Sequence, residues 1–288
     1  HQTLISALQI SIQPKEVLSK LMRKKITAIA WDYIRDEDGV FSLVRTVGEI
    51  AGTTSILIAG ELISSFASGK GMMLGGIAGV QPTEVVIIGA GTVGEFATRA
   101  ALGLGASVKV FDNRLSKLRR LQNDIGKRVY TSIIQPKVLA KAIKRADIVI
   151  GALRSNVGKT PCVVTEMMIQ DMKPGSVIVD VSIDQGGCFE TSKITNHDDP
   201  TFIKHGVTHY CVPNIASRVS RTASFAISNI FSPLLLEMGD YGGVVELIRS
   251  HKGFRNGVYI YKGILTNEVL GKVFDLNYKD INLILPGI

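Results

Sequence analysis

The run Glu84-Val-Val-Ile-Ile-Gly-Ala-Gly-Thr-Val-Gly-Glu-Phe-Ala97 constrains this chain more than any other segment. Four β-branched residues lead into three glycines spaced G-x-G-x-x-G, and a helical pattern begins at once, so the run reads as buried strand, tight turn and helix start. Gly89 permits the turn, Gly91 lets a pyrophosphate approach the backbone, and Gly94 allows helix and strand to pack closely. The helix start, with Thr92 and Val93 in its first turn, then faces the phosphates. Asp112 follows Gly94 by 18 residues, at the end of the next strand, where a carboxylate can bind ribose hydroxyls. A structural βα turn alone would use the glycines but has no need of that acid. Asp112 would repel a 2′-phosphate and so favours NAD over NADP, although Arg114 and Lys117 nearby can accommodate the extra charge.

Around this run the pattern repeats. Strands read at Val85 to Ile88, Val108 to Phe111, Val129 to Ser132, Ile148 to Gly151 and Val177 to Val181, with helical stretches between them. That alternation predicts a parallel, doubly wound α/β sheet of the Rossmann type. A sixth strand is expected at Thr208 to Val212, then a long helix from Ser217 to about Met238 and a small α-rich tail. Before the motif, Leu4 to Ile12 reads as a strand, Lys15 to Lys25 as a short helix, Ile26 to Tyr33 as a strand and Glu49 to Ala67 as a helix stopped by Gly69 and Gly71.

Composition narrows the function. Net charge is +8, but the Lys and Arg residues are scattered with no interleaved aromatics, which argues against nucleic acid and for a small anionic ligand. Three cysteines, Cys162, Cys188 and Cys211, match no metal or disulfide spacing and suggest a reducing, cytoplasmic setting without a metal. No uninterrupted apolar run reaches the roughly 20 residues of a membrane span, so no membrane partner is expected. The chain starts at His1 inside what reads as a strand, so a preceding segment is expected.

Further along, Val179-Asp-Val-Ser-Ile-Asp-Gln-Gly-Gly-Cys-Phe-Glu190 and Tyr210-Cys-Val-Pro-Asn-Ile215 resemble alanine dehydrogenases, in the family that also holds the NAD-binding subunit of proton-translocating transhydrogenase. Met172-Lys-Pro-Gly175, Asp198-Asp-Pro-Thr-Phe202 and Glu49-Ile-Ala-Gly52 carry the same resemblance, which spans residues 4 to about 270. It implies reversible oxidative deamination of L-alanine to pyruvate and ammonium with NAD, by a homo-oligomer, a hexamer. It further implies a Rossmann domain at 49–220 and parts of a substrate domain at 1–48 and 221–288, the latter including the long linking helix. The active site would lie in the cleft between the two domains.

On the resemblance, Asp184 takes the place of the catalytic aspartate, in a loop after a parallel strand; a carboxylate there can deprotonate attacking water or ammonia. Its plain alternative is a loop or helix-cap carboxylate. Gln185, Gly186 and Gly187 would bring backbone close to the nicotinamide. Asn214 would hold the substrate or the carboxamide, or else form an Asx turn after Pro213. Lys117 falls near the adenosine end. Leu153, Ile183, Val212 and Ile215 complete the implied cofactor wall, with core packing as Leu153's alternative.

Two residues depart from the pattern. Gln9 stands where the family commonly has a catalytic histidine, and glutamine cannot shuttle a proton near neutral pH. Gly48 stands where a serine often meets the cofactor phosphates. Gln9 keeps two alternatives open, a transhydrogenase-alpha-like NAD-binding subunit and a non-catalytic dinucleotide-binding module. Surface or turn roles are expected for all five histidines, with His197 beside Asp198 a reserve proton relay.

Overall fold

The computed structural model describes residues 2–8, 14–67, 69–155 and 159–285. In chain order these form β1 (Thr3–Ser6), α1 (Lys15–Arg23), β2 (Thr27–Ala30), a 3₁₀ turn at Trp31–Tyr33, α2 (Ser42–Ser64), β3 (Glu84–Ile88), α3 (Thr92–Gly103), β4 (Ser107–Phe111) and α4 (Leu115–Ile125). There follow β5 (Tyr130–Ser132), α5 (Pro136–Arg145), β6 (Ile148–Gly151), α6 (Glu166–Gln170), β7 (Val177–Asp180), a 3₁₀ turn at Val181–Gln185, β8 (Thr201–Lys204) and β9 (Val207–Tyr210). The last part holds a 3₁₀ turn at Ile215–Val219, α7 (Ser220–Asp240), α8 (Val244–Ser250), α9 (Lys252–Arg255), β10 (Val258–Tyr261), β11 (Ile264–Leu265), α10 (Glu268–Phe274) and α11 (Ile281–Ile284). By internal contacts the chain divides into two compact units, Gly48–Ala223 and His1–Val47 with Ser224–Ile288.

Within Gly48–Ala223, seven strands run in the order β5-β4-β3-β6-β7-β9-β8. All pairings are parallel except that of β8 with β9. The central strands are fully buried and rich in Val and Ile, as strands covered on both faces must be. Val85 and Ile87 pack into the core on one face, Val86 and Ile88 into the core on the other. Chain order reverses at β3, which lies between β4 and β6, and ligands bind doubly wound sheets at the carboxyl ends of the strands flanking such a point.

This sheet has the expected doubly wound character, with one addition. β8 was not expected: Thr201-Phe-Ile-Lys204 is short, half exposed and antiparallel, so it lacks the buried-run signature of its neighbours. Helix α2 begins at Ser42, before the expected Glu49, and includes Gly48; it ends at Ser64. Among the described residues it is the one helix long and apolar enough, by length and composition, to cross a membrane. It also carries Arg45, Glu49 and Glu61, and half of its most apolar stretch is buried.

The tail is α-rich as expected, but it also holds two strands that were not expected. Val258-Tyr-Ile-Tyr261 is a fully buried strand that joins a four-stranded sheet in the order β1-β2-β10-β11. β10 pairs antiparallel with β2, some 230 residues earlier, and that partner cannot be read from the tail alone. The strand expected to end at Tyr33 stops at Ala30, because the chain turns into a 3₁₀ segment there. β1 covers only Thr3–Ser6, and Gln9 lies outside the described residues.

Candidate active site

At the switch point contact accounts for two of the three glycines. Gly89 has φ +119°, and a Cβ there would run into the Ala152 carbonyl; a Cβ at Gly94 would run into the Gly89 carbonyl. A Cβ at Gly91 would meet no protein atom within 4 Å, so packing alone does not demand glycine there. No side chain at Gly91 caps α3, which leaves the amides of Thr92 and Val93 at the helix start for an anion. Helix α2 sets that start from behind, since a Cβ at Gly52 would strike the Val93 carbonyl and one at Gly48 would lie 3.4 Å from the Thr92 side chain. An uncapped helix start with glycines on the approach side fits a bound diphosphate.

Asp112 is more enclosed than its sequence position suggests. It is 4% exposed, Oδ2 accepts the Ala90 amide at 2.8 Å, Oδ1 accepts the Arg114 amide at 2.8 Å, and the Lys117 ammonium stands 3.9 Å away. The acid therefore braces the glycine turn from the neighbouring strand. A carboxylate oxygen carries two lone pairs, so ribose recognition through the remaining ones is compatible with this bracing. Arg120, which the sequence reading passed over, donates to the Ala90 carbonyl at 3.1 Å from α4 and ties the same turn down a second time.

Two strands further, β7 delivers the Val181–Gln185 turn. Asp184 is solvent-exposed at this edge, and its Oδ1 accepts the Asn214 amide at 2.8 Å. Burial around the carboxyl raises its pKa above the usual aspartate value, against the opposing pull of the Asn214 amide and the Arg154 charge. Asn214 sits in the left-handed region at φ +52°, a conformation asparagine tolerates, and this aims its N–H at Asp184. Its backbone, rather than its side chain, makes this contact.

Gln185 has a role the sequence did not announce. Its amide group receives the Ser155 N–H at 2.9 Å and donates to the Ser155 carbonyl at 3.2 Å, while its carbonyl accepts the Thr160 amide at 2.8 Å. The loop after β6 is thereby fastened to the Asp184 turn, with Arg154 alongside. Leu153 is half-buried against the core, and Ile183, Val212 and Ile215 are buried. The glycine turn, Asp112, Leu153, Asp184 and Asn214 thus all follow the carboxyl ends of neighbouring strands.

The histidines need one correction. His209 is fully buried in β9, stacked on Phe202 at 4.7 Å, with Nδ1 to the Val207 carbonyl and Nε2 to the Thr191 hydroxyl at 2.8 Å. Its burial lowers its pKa, so it is a neutral core residue. His197 is exposed and pairs with Ser217 at 2.7 Å, near Asn214 in sequence but with no contact to Asp184 among the described residues.

A doubly wound sheet with an uncapped glycine turn at its switch point and a carboxylate on the adjacent loop defines a dinucleotide-binding dehydrogenase. The family model of the alanine dehydrogenase/PNT C-terminal domain matches residues 55–268. The alanine dehydrogenase of Mycolicibacterium smegmatis is 38% identical over 97% of this chain and 75% of its own length. Alanine dehydrogenase 2 of Staphylococcus aureus is 39% identical over 93% of this chain and 72% of its own length. A solved L-alanine dehydrogenase superposes with TM-score 0.88 at 33% identity, covering 95% of this chain and 75% of that one. A transhydrogenase from Sinorhizobium meliloti, at TM-score 0.74 and 22% identity over 92% of this chain and 73% of its own, shares the fold. The chain belongs to the alanine dehydrogenase/PNT family and takes a nicotinamide dinucleotide.

Proposed function

We propose that the chain catalyses the reversible oxidative deamination of L-alanine to pyruvate and ammonium with NAD. The observation that carries this reading is Asp184: a carboxylate on an exposed turn, held by the Asn214 amide at the carboxyl edge that also bears the glycine turn, its pKa raised by the protein packed around the carboxyl group. A bound nicotinamide would supply the hydride acceptor for Cα of alanine. Asp184 accepts a proton from the water that attacks the imine carbon, and in the reverse direction it takes one from ammonium, freeing the ammonia whose lone pair attacks the pyruvate carbonyl. Its raised pKa brings it nearer to the neutral range in which a general base works. Gln9 cannot take a proton and is given no proton-transfer step.

In this reading Gly89, Gly91, Thr92, Val93 and Gly94 hold the diphosphate, and Asp112 with Lys117 the adenosine ribose. Leu153, Ile183, Val212 and Ile215, with the backbone of Asp184 and Asn214, line the nicotinamide end. Residues 49–220 are the cofactor domain, and 1–48 and 221–288 contribute to the substrate domain. A homohexamer belongs to the same reading, supported by the exposed apolar residues Leu57, Phe66 and Met73. The free cysteines, two of them buried, suit a cytoplasmic setting.

The test is NADH formation from NAD and L-alanine under alkaline conditions, with the reverse reaction from pyruvate, ammonium and NADH. Turnover in both directions supports the reading, and its absence removes it. Equal rates with NADP would remove the role given to Asp112, and light scattering decides the oligomer.

A further inference from the structure

We propose that Asp180 is a positioning residue for the reaction, holding the two stems of the Asp184 turn together and so fixing where that carboxylate stands. The proposal rests on the role given to Asp184 above. Asp180 ends β7 and is 1% exposed. Its Oδ1 accepts the Ser182 amide at 3.0 Å, and its Oδ2 accepts the Cys188 amide at 3.1 Å and the Ser192 hydroxyl at 2.6 Å. The two amides bracket residues 183–187, which hold Asp184 and the left-handed Gly186 and Gly187. Glycines leave a loop conformationally free, and here one short side chain removes that freedom at both stems.

The carboxylate has no room to move. A Cβ at Gly151 would lie 2.6 Å from Oδ1, and a Cβ at Gly187 would lie 2.6 Å from Oδ2. Every group that donates to it among the described residues is neutral, the Cys188 thiol at 3.8 Å included. The titratable groups that feel its charge are the thiols of Cys162, Cys188 and Cys211. Burial lifts Asp180 to about 6, with the Ser192, Cys188 and Ser182 hydrogen bonds opposing it. A buried carboxylate with no cation is a poor device for stability alone. Its geometric return is two loop stems pinned at one point, next to the reacting group.

The experiment compares Asp180→Asn with Ser192→Ala in the full chain. Asparagine keeps one acceptor oxygen and turns an NH₂ toward the other stem, so one of the two amides is released. Asp180→Asn should lower kcat for reductive amination of pyruvate by about 10²-fold, the effect of moving a reacting group by about 1 Å. KM and the NADH dissociation constant should stay within roughly threefold, which a general loss of fold would not allow. Ser192→Ala removes a donor to the same carboxylate but leaves both stem amides their acceptor, and its kcat should stay near that of the parent chain. Amide exchange across 181–189 should accelerate in Asp180→Asn and not in Ser192→Ala.

A folded Asp180→Asn with parental kcat, equal kcat losses in both variants, or unaltered exchange across 181–189 overturns the proposal. If the parent chain does not turn over alanine, the substrate reading fails, and the exchange comparison alone decides the positioning role. If Asp180→Asn does not fold, the parent chain suffices: protection of the Ser182 and Cys188 amides should drop as pH falls through about 6, where Asp180 gains its proton. Constant protection there overturns it.

Discussion

At the amino edge of the seven-stranded sheet Asp147 is met by the Lys70 and Lys173 ammonium groups, each at 2.9 Å, and by the Glu84 amide at 3.0 Å, whereas at the carboxyl edge Asp180 faces, among the described residues, only neutral donors. Burial works to raise both carboxyls. For Asp147 the two lysines and the amide outweigh it and hold the group below its usual value; for Asp180 the donors do not, and it sits at about 6. Exposed Asp184, two loop residues from Ser182, is also shifted upward. Neutralised acid at one edge knits strands to the loops behind them. At the other edge Asp180 is held by neutral donors among the described residues, and Asp184 has the Asn214 amide on its carboxyl with the Arg154 charge nearby.

The largest expected effect tests the chemical edge. Asp184→Asn keeps an acceptor for the Asn214 amide but cannot take a proton, so kcat should fall by about 10²–10⁴-fold while NADH binding persists. Retained turnover would end the contrast between the two edges. Next comes Gly94→Ala, whose added methyl meets the Gly89 carbonyl. It should destabilise the chain by about 1–3 kcal/mol and abolish saturable NADH fluorescence, because the turn must open to fit it.

Asp147→Ala should act only on stability. It leaves two lysines unpaired, and since Lys173 is substantially exposed the loss should be about 1–3 kcal/mol in denaturant titration, below the value for a fully buried pair. Its kcat should match the parent; a changed kcat would blur the division between the edges. The smallest effect is acid sensitivity. His209 is held neutral with a pKa below its unfolded value, so its contribution is complete above pH 6.5 and is lost as pH falls toward the folded value. Asp147, with a folded pKa below 3.8, adds a similar loss at still lower pH. Asp180 works in the opposite direction between 3.8 and about 6, where its protonation favours the folded state. A melting series in pH for the parent and for His209→Gln separates these, since the variant should lose the first of the acid-sensitive steps.

Much of the cofactor half was legible because its signals are local. The requirements of Gly89 and Gly94 are set by residues within a few positions or on the adjoining strand, and fully buried Val and Ile runs announce parallel strands. The exceptions lie in both units. Val258–Tyr261, in the second unit, becomes a strand through β2, and Thr201–Lys204, at the edge of the seven-stranded sheet, through β9, partners at a distance or of ordinary composition. Asp184 and Asn214 were found through a resemblance, and their contact is a backbone hydrogen bond that depends on a left-handed asparagine.

The sequence by itself determined the strand–glycine–helix unit, the parallel, doubly wound character that follows from alternating β and α segments, and the family. The first two follow from short-range sterics and from the period of apolar residues, and the family from the resemblance carried by residues 179–190 and 210–215. Only the tertiary structure decided that Asp112 braces the glycine turn, that Gln185 fastens one loop to another, that His209 is core and that Asp180 closes the Asp184 turn. Each depends on atoms brought together across strands, and the same aspartate gains or loses protons according to whether a lysine or an amide happens to be its neighbour.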